Sequence, residues 1–290
     1  VCTSGNAPHT PVYGGVRAPQ CTSVAFSGST FVAVGEGSTY TSSDGVIWSR
    51  QFDPTATNLT SVVWHVDKFV AVGIGPEYYE GRTSPTGAVW TTVLEFLAHN
   101  FSNPGSAIYT DFSLASNGST IVVAGGASLL DSPGYEIILS SGNGVSWDVR
   151  RYAYVGNGAG IHGNVVHNGN VFATAARDGL YATPTQVFML TSTDGVSWQR
   201  ALRSLPTTGE GDTSQTLVVL GGKPGQLLGV KQLASSKSHD SIPFPVPTAS
   251  DLMISNDSGA TWAYVTGAPK GMTAVRWDGA QYVGFALVAR

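Results

Sequence analysis

The chain has 290 residues, a formal net charge of −4 and only 12% charged residues. It carries no basic stripe, which argues against a nucleic acid partner, and its apolar runs fall well short of the roughly 18 residues of a membrane span. The 36 glycines, together with many Ser, Thr and Asn residues, are typical of a turn-rich all-β fold.

The first repeated element along the chain is a pair of short apolar runs joined by a polar, glycine-bearing turn. Such a pattern predicts a β-hairpin. The clearest copies share a second run of the type FVAVG. The six copies run over 22–35, 60–73, 113–125, 163–173, 216–229 and 273–284.

The second repeated element is a seven-residue phrase that ends in tryptophan. It reads SSDGVIW at 42–48 and STDGVSW at 192–198, whereas Thr86 and Asn143 replace the aspartate in two looser copies. A fifth copy, around Asp257, has one extra residue. Because Asp accepts hydrogen bonds from amides of its own turn and Gly adopts conformations that a Cβ opposes, the phrase predicts a tight turn.

The spacing of the hairpins predicts the number of repeats. The second run of each hairpin contains one equivalent residue. Successive equivalent residues are 38, 52, 50, 56 and 55 positions apart, and the step from the last one through the chain end back to the first is 39 positions. A repeat that closes on itself in this way predicts a ring of six units. The sixth unit is short, and we expect the segment 10–17 to supply an outer strand that removes its exposed edge.

The phrase Ser-x-Asp-(x)-Gly-x-x-Trp, preceded by the FVAVG-type strand, resembles the Asp-box, or BNR, repeat of sialidase-superfamily β-propellers; the Asp257 copy has the full spacing, and the Asp44 and Asp194 copies lack the residue in parentheses. The resemblance covers nearly the whole chain and implies, with the six-unit spacing, an all-β, six-bladed β-propeller. Each blade would have four antiparallel strands, and N- and C-terminal strands in one blade would close the ring. We expect a single domain over 1–290, with blades at 22–58, 59–109, 110–160, 161–212, 213–269 and 270–290 plus 1–21.

The resemblance also implies which end of the propeller binds ligands. In this family the box joins the third and fourth strands of a blade, on the face away from the usual binding site. Asp44, Asp194, Asp257 and the five box tryptophans are therefore expected to be structural. The alternative is that the repeated tryptophans form ligand sites, as they do in some propeller lectins.

The loops between second and third strands would lie at the opposite end, where function concentrates on a rigid scaffold. Tyrosines there can stack on sugar rings, carboxylates can bond hydroxyls, and arginines can hold a carboxylate. The second loop is expected at 76–82, and the third is expected to continue to Tyr135 and Glu136. The alternative is a set of solvated loop residues with local salt bridges. The candidate ligand-binding residues are Glu77, Tyr78, Tyr79, Arg82, Asp131, Arg177, Asp178, Tyr181, His239 and Asp240.

A sialidase activity would require the catalytic residues of the sialidase family. The sequence RAP at 17–19 is similar to the N-terminal Arg-Ile-Pro of sialidases, but their other arginines, their acid and their Tyr-Glu pair have no counterparts at a defined spacing. Another glycosidase or lyase needs paired carboxylates about 5–10 Å apart, for which Glu77, Asp131 and Asp178 are candidates. The histidines show no metal-ligand spacing, so neither a metal nor a cofactor is predicted.

Cysteines and sequons indicate the compartment. Two cysteines, Cys2 and Cys21, with four Asn-x-Ser/Thr sequons favour a secreted protein with one disulfide. The alternative is a cytosolic chain with two buried thiols and chance sequons. The glycosylation candidates are Asn58, Asn100, Asn117 and Asn256.

Three functions follow from these observations. The first is a secreted, non-catalytic propeller that binds a glycan or a protein surface through its loop-rich face. The second is a carbohydrate-active enzyme, a glycoside hydrolase or lyase on a sialidase-like fold. The third is a structural subunit of an extracellular assembly, which the sparse charge favours because few charges discourage self-association.

Overall fold

The computed structural model describes most of the chain after residue 20. The described residues are 21–35, 37–51, 58–74, 78–97, 107–109, 112–129, 133–157, 160–161, 163–177, 186–206, 215–233, 251–269 and 271–286. Within these ranges the regular structure consists of β-strands, with no helix.

The strands of the first three sheets follow one another along the chain. The first sheet contains, in spatial order, β1 (Cys21–Phe26), β2 (Phe31–Gly35), β3 (Ser38–Ser42) and β4 (Ser49–Gln51). The second contains β5 (Asn58–His65), β6 (Lys68–Ile74), β7 (Tyr78–Ser84) and β8 (Thr91–Leu97). The third contains β10 (Ser113–Ser116), β11 (Ile121–Leu129), β12 (Pro133–Ser141) and β13 (Asp148–Asn157), with β9 (Ala107–Tyr109) paired to β11.

The remaining sheets repeat this order. The fourth contains β14 (Gly160–Ile161), β16 (Phe172–Arg177), β17 (Val187–Ser192) and β18 (Gln199–Arg203), with β15 (Val166–His167) paired to β16. The fifth contains β19 (Gln215–Lys223), β20 (Gln226–Leu233), β21 (Asp251–Ser255) and β22 (Ala263–Tyr264). The sixth has two described strands, β23 (Met272–Trp277) and β24 (Tyr282–Ala286).

The prediction of an all-β chain built from four-stranded antiparallel sheets is confirmed for the described residues. Strands that follow one another pair antiparallel, as β1 to β4 do. The turn of the first hairpin in four sheets is flanked by a cross-strand aromatic pair, a feature that the sequence analysis missed. The ring centroids lie 4.2 Å apart for Phe26–Phe31, 4.7 Å for Trp64–Phe69, 4.7 Å for His167–Phe172 and 5.0 Å for Trp277–Tyr282.

The chain divides into two compact units. Unit 1 comprises 1–104, 112–121 and 141–147, and unit 2 comprises 105–111, 122–140 and 148–290. In unit 1, Val32 and Val34 of the first sheet pack against Leu59 and Phe69 of the second. In unit 2, the fourth and fifth sheets share an apolar core, which includes Met189, Leu217, Leu227, Met253 and Trp262. The single 1–290 domain, its blade boundaries and the closed ring stay predictions.

The repeated tryptophan phrases form the predicted tight turns. In the turn after β17, Oδ1 of Asp194 accepts hydrogen bonds from the amides of Val196 and Ser197, both at 2.8 Å, and from the hydroxyl of Ser192, also at 2.8 Å. Asn143 accepts the corresponding two amide bonds at 2.8 Å. The amides of Ser197 and Val196 and the Ser192 hydroxyl lower the pKa of Asp194 to about 2.

The glycines of two of the repeated turns allow those turns to approach the preceding sheet. Gly87 has φ of +79°, and a Cβ there would overlap Cγ2 of Val32 in the first sheet. Gly144 has φ of +73°, and its Cβ would lie 2.8 Å from Cγ2 of Val70 in the second sheet. These two turns therefore join neighbouring sheets, and glycine is required in them both for its backbone conformation and for space.

Candidate functional site

We call the turns formed by the repeated tryptophan phrases box turns. The ends of the sheets opposite the box turns are described only in part. Of the ten candidate ligand residues, Tyr78, Tyr79, Arg82 and Arg177 lie within the described ranges. The other six are Glu77, Asp131, Asp178, Tyr181, His239 and Asp240, and all of these lie outside the described residues. Their part in a site stays a prediction.

The expected second loop is shorter than the sequence indicated, because β7 begins at Tyr78 and includes Arg82. The tyrosine pair favours an extended strand, which pairs with β6 on one side and β8 on the other. The side chain of Tyr79 is buried, and its ring meets Phe112 edge-on with centroids 4.4 Å apart. Tyr79 thus contributes to the packing of unit 1.

Arg82 lies in the same strand and is ion-paired. Its Nη2 lies 2.6 Å from Oε2 of Glu80, and its Nε donates to the same oxygen at 2.8 Å. The two residues are two positions apart in β7, so they share one face of the strand. Only 4% of the Arg82 side chain is exposed, and the guanidinium is already neutralised by a buried carboxylate.

Arg177 is the last residue of β16, at the edge of the segment 178–185 that would carry two further candidates. Its Nη1 lies 3.4 Å from the hydroxyl of Thr216. Its Nε is buried and has no hydrogen-bond partner among the described residues. Burial lowers the pKa of Arg177 from its usual value, but an arginine remains charged at neutral pH. Arg177 is therefore a largely desolvated cation whose described contact is a neutral hydroxyl.

Lys231, which is not among the residues predicted from the sequence, is a second buried cation near Arg177. Its Nζ lies 2.8 Å from the carbonyl oxygen of Pro206 and 3.2 Å from the hydroxyl of Tyr264. Lys231 pairs across β19 and β20 with Leu217, the residue after the Thr216 that Arg177 contacts. The two cations thus lie towards the same end of the core between the fourth and fifth sheets.

Glu136 lies in strand β12 and not in the third loop, where the sequence analysis expected it. Its side chain is fully buried, with Oε2 at 2.5 Å from Nε of Arg151 and Oε1 at 2.9 Å from Nε of Arg200. Arg200 also lies over the ring of Phe188, with its guanidinium carbon 3.4 Å from the centroid. The cluster joins the third sheet to the fourth within unit 2. Because two arginines bind the Glu136 carboxylate, it is not available to a ligand, as the carboxylate of a loop residue would have been.

The predicted modification sites are also described in part. Asn58 and Asn256 are exposed, and Asn117 accepts hydrogen bonds from its own turn, including one from the amide of Thr120 at 2.7 Å. Asn100 and Cys2 lie outside the described residues. Glycosylation and the Cys2–Cys21 disulfide stay predictions.

Within the described ranges, no three His, Cys, Asp or Glu side chains are grouped so that they can hold a metal ion. No helix of the described residues is long and apolar enough to cross a membrane.

Comparison with solved structures identifies the fold. The β-propeller domain of the trilobed protease from Pyrococcus furiosus is 7% identical to this chain, with a TM-score of 0.54 over 93% of this chain and 78% of that one. An α-L-arabinanase from Penicillium chrysogenum, complexed with arabinobiose, is 15% identical, with a TM-score of 0.50 over 80% of this chain and 73% of that one. No protein-family model and no curated protein matches the chain. The chain has a β-propeller fold, and at these identities the similarity extends to the fold alone.

Proposed function

We propose that this β-propeller is a secreted, non-catalytic protein that binds a glycan at the end opposite the box turns, with Arg177 in contact with the ligand. The observation that carries the proposal is the buried Nε of Arg177, which has no partner among the described residues. A buried donor without an acceptor is costly, and a ligand oxygen at this position would remove that cost. Arg177 lies in β16, so a rigid sheet holds it.

Chemistry favours a sugar as the ligand. The planar guanidinium offers directed donors that match hydroxyl and carboxylate oxygens. The candidates Asp178 and Tyr181, which follow Arg177 along the chain, would add a hydrogen bond and stacking. The α-L-arabinanase of the same fold is complexed with arabinobiose, which supports a sugar ligand on this scaffold.

The described carboxylates favour binding over catalysis. Glycoside hydrolysis requires one carboxyl group that donates a proton and another that acts as base or nucleophile. Glu80 and Glu136 are each ion-paired with arginines, and among the side chains that the structure describes, neither forms a pair with a second carboxyl group. The enzyme alternative therefore rests on Glu77, Asp131 and Asp178.

A glycan array followed by titration calorimetry tests the proposal. We expect Arg177→Ala to weaken binding of the array hit by about tenfold or more while the thermal midpoint changes little. Arg150→Ala is the matched control, because Arg150 is a half-buried arginine of the same unit that is already paired with Asp148 at 2.7 Å. Unchanged affinity of Arg177→Ala, or an array without a hit, contradicts the proposal. Turnover of chromogenic glycosides that Glu77→Gln or Asp178→Asn abolishes would favour the enzyme.

We further propose that the repeat is a true Asp-box and that six blades close with the segment 10–17 beside β24. The hydrogen bonds of Asp194 and the two-stranded sixth sheet support this proposal. We also propose that the protein is a secreted glycoprotein with a Cys2–Cys21 disulfide. Non-reducing peptide mapping and a glycosidase mobility shift of protein secreted from eukaryotic cells test the disulfide and the glycans.

A further inference from the structure

The turn between β10 and β11 contains the dipeptide Asn117-Gly118. In such a dipeptide the backbone nitrogen of the glycine can attack Cγ of the asparagine, because the two atoms are close along the chain and glycine has no side chain to obstruct the approach. Asn117 is half-buried, whereas Gly118 is exposed, and a Cβ on Gly118 would meet no atom within 4 Å. The site is therefore open to water and to a leaving group.

The side-chain carbonyl of Asn117 is surrounded by hydrogen-bond donors. Its Oδ1 accepts bonds from the amide of Ser119 at 3.0 Å, from the hydroxyl of Ser119 at 3.0 Å and from the amide of Thr120 at 2.7 Å. When the glycine nitrogen attacks Cγ, negative charge develops on this oxygen, and donors that are already in place stabilise such an oxyanion. The turn thus favours the attack as well as the folded hairpin.

A serine and a histidine connect the attacking nitrogen to a base. The amide of Gly118 donates to Oγ of Ser116 at 3.1 Å, and this oxygen lies 2.9 Å from Nδ1 of His65. Nε2 of His65 lies 3.3 Å from the carbonyl oxygen of Gly142, which can only accept, so Nε2 carries the proton and Nδ1 of the neutral ring is an acceptor. A chain of hydrogen bonds, all within unit 1, therefore leads from the Gly118 amide to a basic nitrogen.

We propose that Asn117 is a site of self-modification, where the fold converts the asparagine into aspartate and isoaspartate through a succinimide. His65 takes the proton of the Gly118 amide by way of the Ser116 hydroxyl. The glycine nitrogen then forms a bond to Cγ of Asn117, the Cγ–Nδ2 bond breaks, and Nδ2 leaves as ammonia with a proton that the imidazolium returns through solvent. Water opens the ring at either imide carbonyl. A glycan on Asn117 would occupy the same Nδ2, so the reaction belongs to chains without that glycan.

The fold already uses an aspartate at the corresponding turn of the sixth sheet. Oδ1 of Asp278 accepts hydrogen bonds from the amides of Ala280 and Gln281, both at 2.8 Å. An aspartate formed at position 117 can keep its turn in the same way. Isoaspartate lengthens the main chain between β10 and β11 by one carbon, so the two products differ in whether the hairpin is preserved.

A second Asn-Gly dipeptide in unit 1 has no such connection to a base and is the internal reference. The amide of Gly144 is buried and donates to Oγ of Ser141 at 2.8 Å. The hydroxyl of Ser141 gives its single proton to Oδ1 of Asn143, at 3.2 Å. The proton of the Gly144 amide therefore has no path to a histidine, and we expect Asn143 to react slowly.

A third Asn-Gly dipeptide, in unit 2, has a histidine but an enclosed leaving group. The amide of Gly169 lies 3.4 Å from Nδ1 of His167. Asn168 is only 2% exposed, and its Nδ2 donates to the carbonyl oxygen of Gln226 at 3.3 Å. Loss of this nitrogen as ammonia would require the packing to open, so we expect Asn168 to react slowly too.

Peptide mapping of the folded chain during prolonged incubation tests the proposal, with protein made in bacteria so that Asn117 carries no glycan. Mass spectrometry follows the succinimide and both acids at Asn117 and Asn143 in the same sample. We expect Asn117 to react about tenfold faster or more, and Ser116→Ala to remove that advantage. Ser116→Thr keeps the hydroxyl and should react like the wild type. Equal rates at the two asparagines, or a Ser116→Ala chain that reacts like the wild type, overturn the proposal.

Two further variants separate the reaction from the stability of the fold. Ser119→Ala removes one donor to Oδ1 at an exposed position, so we expect Asn117 to react about tenfold more slowly at an unchanged thermal midpoint, whereas Ser119→Thr should not slow it. His65→Asn leaves an acceptor for the Ser116 hydroxyl but no base, and it should slow Asn117 as Ser116→Ala does. Unfolding would accelerate Asn143, so a slower Asn117 beside an unchanged Asn143 identifies loss of the proton path. An unchanged rate at Asn117 in either variant overturns the proposal.

Discussion

Replacing Gly87 with alanine measures how strongly a box turn joins two sheets. Gly87 has φ of +79°, and a Cβ there would overlap Cγ2 of Val32 in the preceding sheet. The left-handed backbone costs an alanine about 1–2 kcal/mol. Displacing a buried, well-packed side chain adds about 1–3 kcal/mol. We therefore expect Gly87→Ala to lower the free energy of unfolding by about 2–5 kcal/mol.

Gly45→Ala is the control that removes the packing contribution. Gly45 occupies the same position in the first box turn and has φ of +74°, but a Cβ there would lie 3.5 Å from the ring of Phe31, an ordinary contact. We expect a loss of only about 1–2 kcal/mol for this substitution. The difference between the two variants reports the contact between the turn after β7 and the first sheet.

Urea unfolding followed by tryptophan fluorescence and by circular dichroism provides the assay. Coincident transitions with the two probes and unchanged slopes allow the midpoints to be compared as free energies. If the two variants are equally destabilised, backbone conformation alone explains the glycine, and the inference that box turns join neighbouring sheets is wrong.

Three further predictions concern stability. Glu136→Gln should destabilise unit 2 by about 3–5 kcal/mol in urea unfolding, because it leaves two arginines without their shared buried carboxylate, whereas Asp148→Asn at an exposed pair should have almost no effect. Because the pKa of Asp194 is lowered from 3.8 to about 2, its stabilisation is complete above pH 3.8 and is lost as the pH falls towards 2; Asp194→Asn should reduce this acid dependence in thermal melts. Trp262→Ala should cost about 3–5 kcal/mol because the indole is buried in the core, and Trp198→Ala should cost less because Trp198 is only half-buried.

The box turns could be predicted from the sequence because every interaction that forms them is local. Asp44 bonds Ser42, Val46 and Ile47, all within three residues. The indole of Trp48 returns to the carbonyl of Gly45 at 3.0 Å. The hairpins could be predicted equally well, since an alternating apolar run and a polar turn determine a hairpin within about a dozen residues. What a box turn packs against was not readable, because Gly87 and Val32 are brought together only when two sheets meet.

The buried ion cluster escaped prediction for the same physical reason. Glu136 and Arg200 are separated by 64 residues and lie in different sheets. Nothing in either local sequence indicates the other, and without a partner Glu136 reads as a polar residue near a loop. The position of the carboxylate depends on which strands of the third and fourth sheets face each other, and that is a property of the assembled unit.

Arg82 and Arg177 show where a finer reading of the sequence would have helped. Both were predicted as ligand residues on equal grounds, but Glu80 precedes Arg82 by two positions, and in a strand this spacing puts both side chains on one face. Recognising Tyr78–Ser84 as a strand would therefore have indicated an internal ion pair. Arg177 has Ala175 two positions before it and is the last residue of β16, so its own strand offers it no counter-charge. An arginine at a strand end with no acid two residues away is the better candidate for a ligand contact, and the described contacts of Arg177 agree with that criterion.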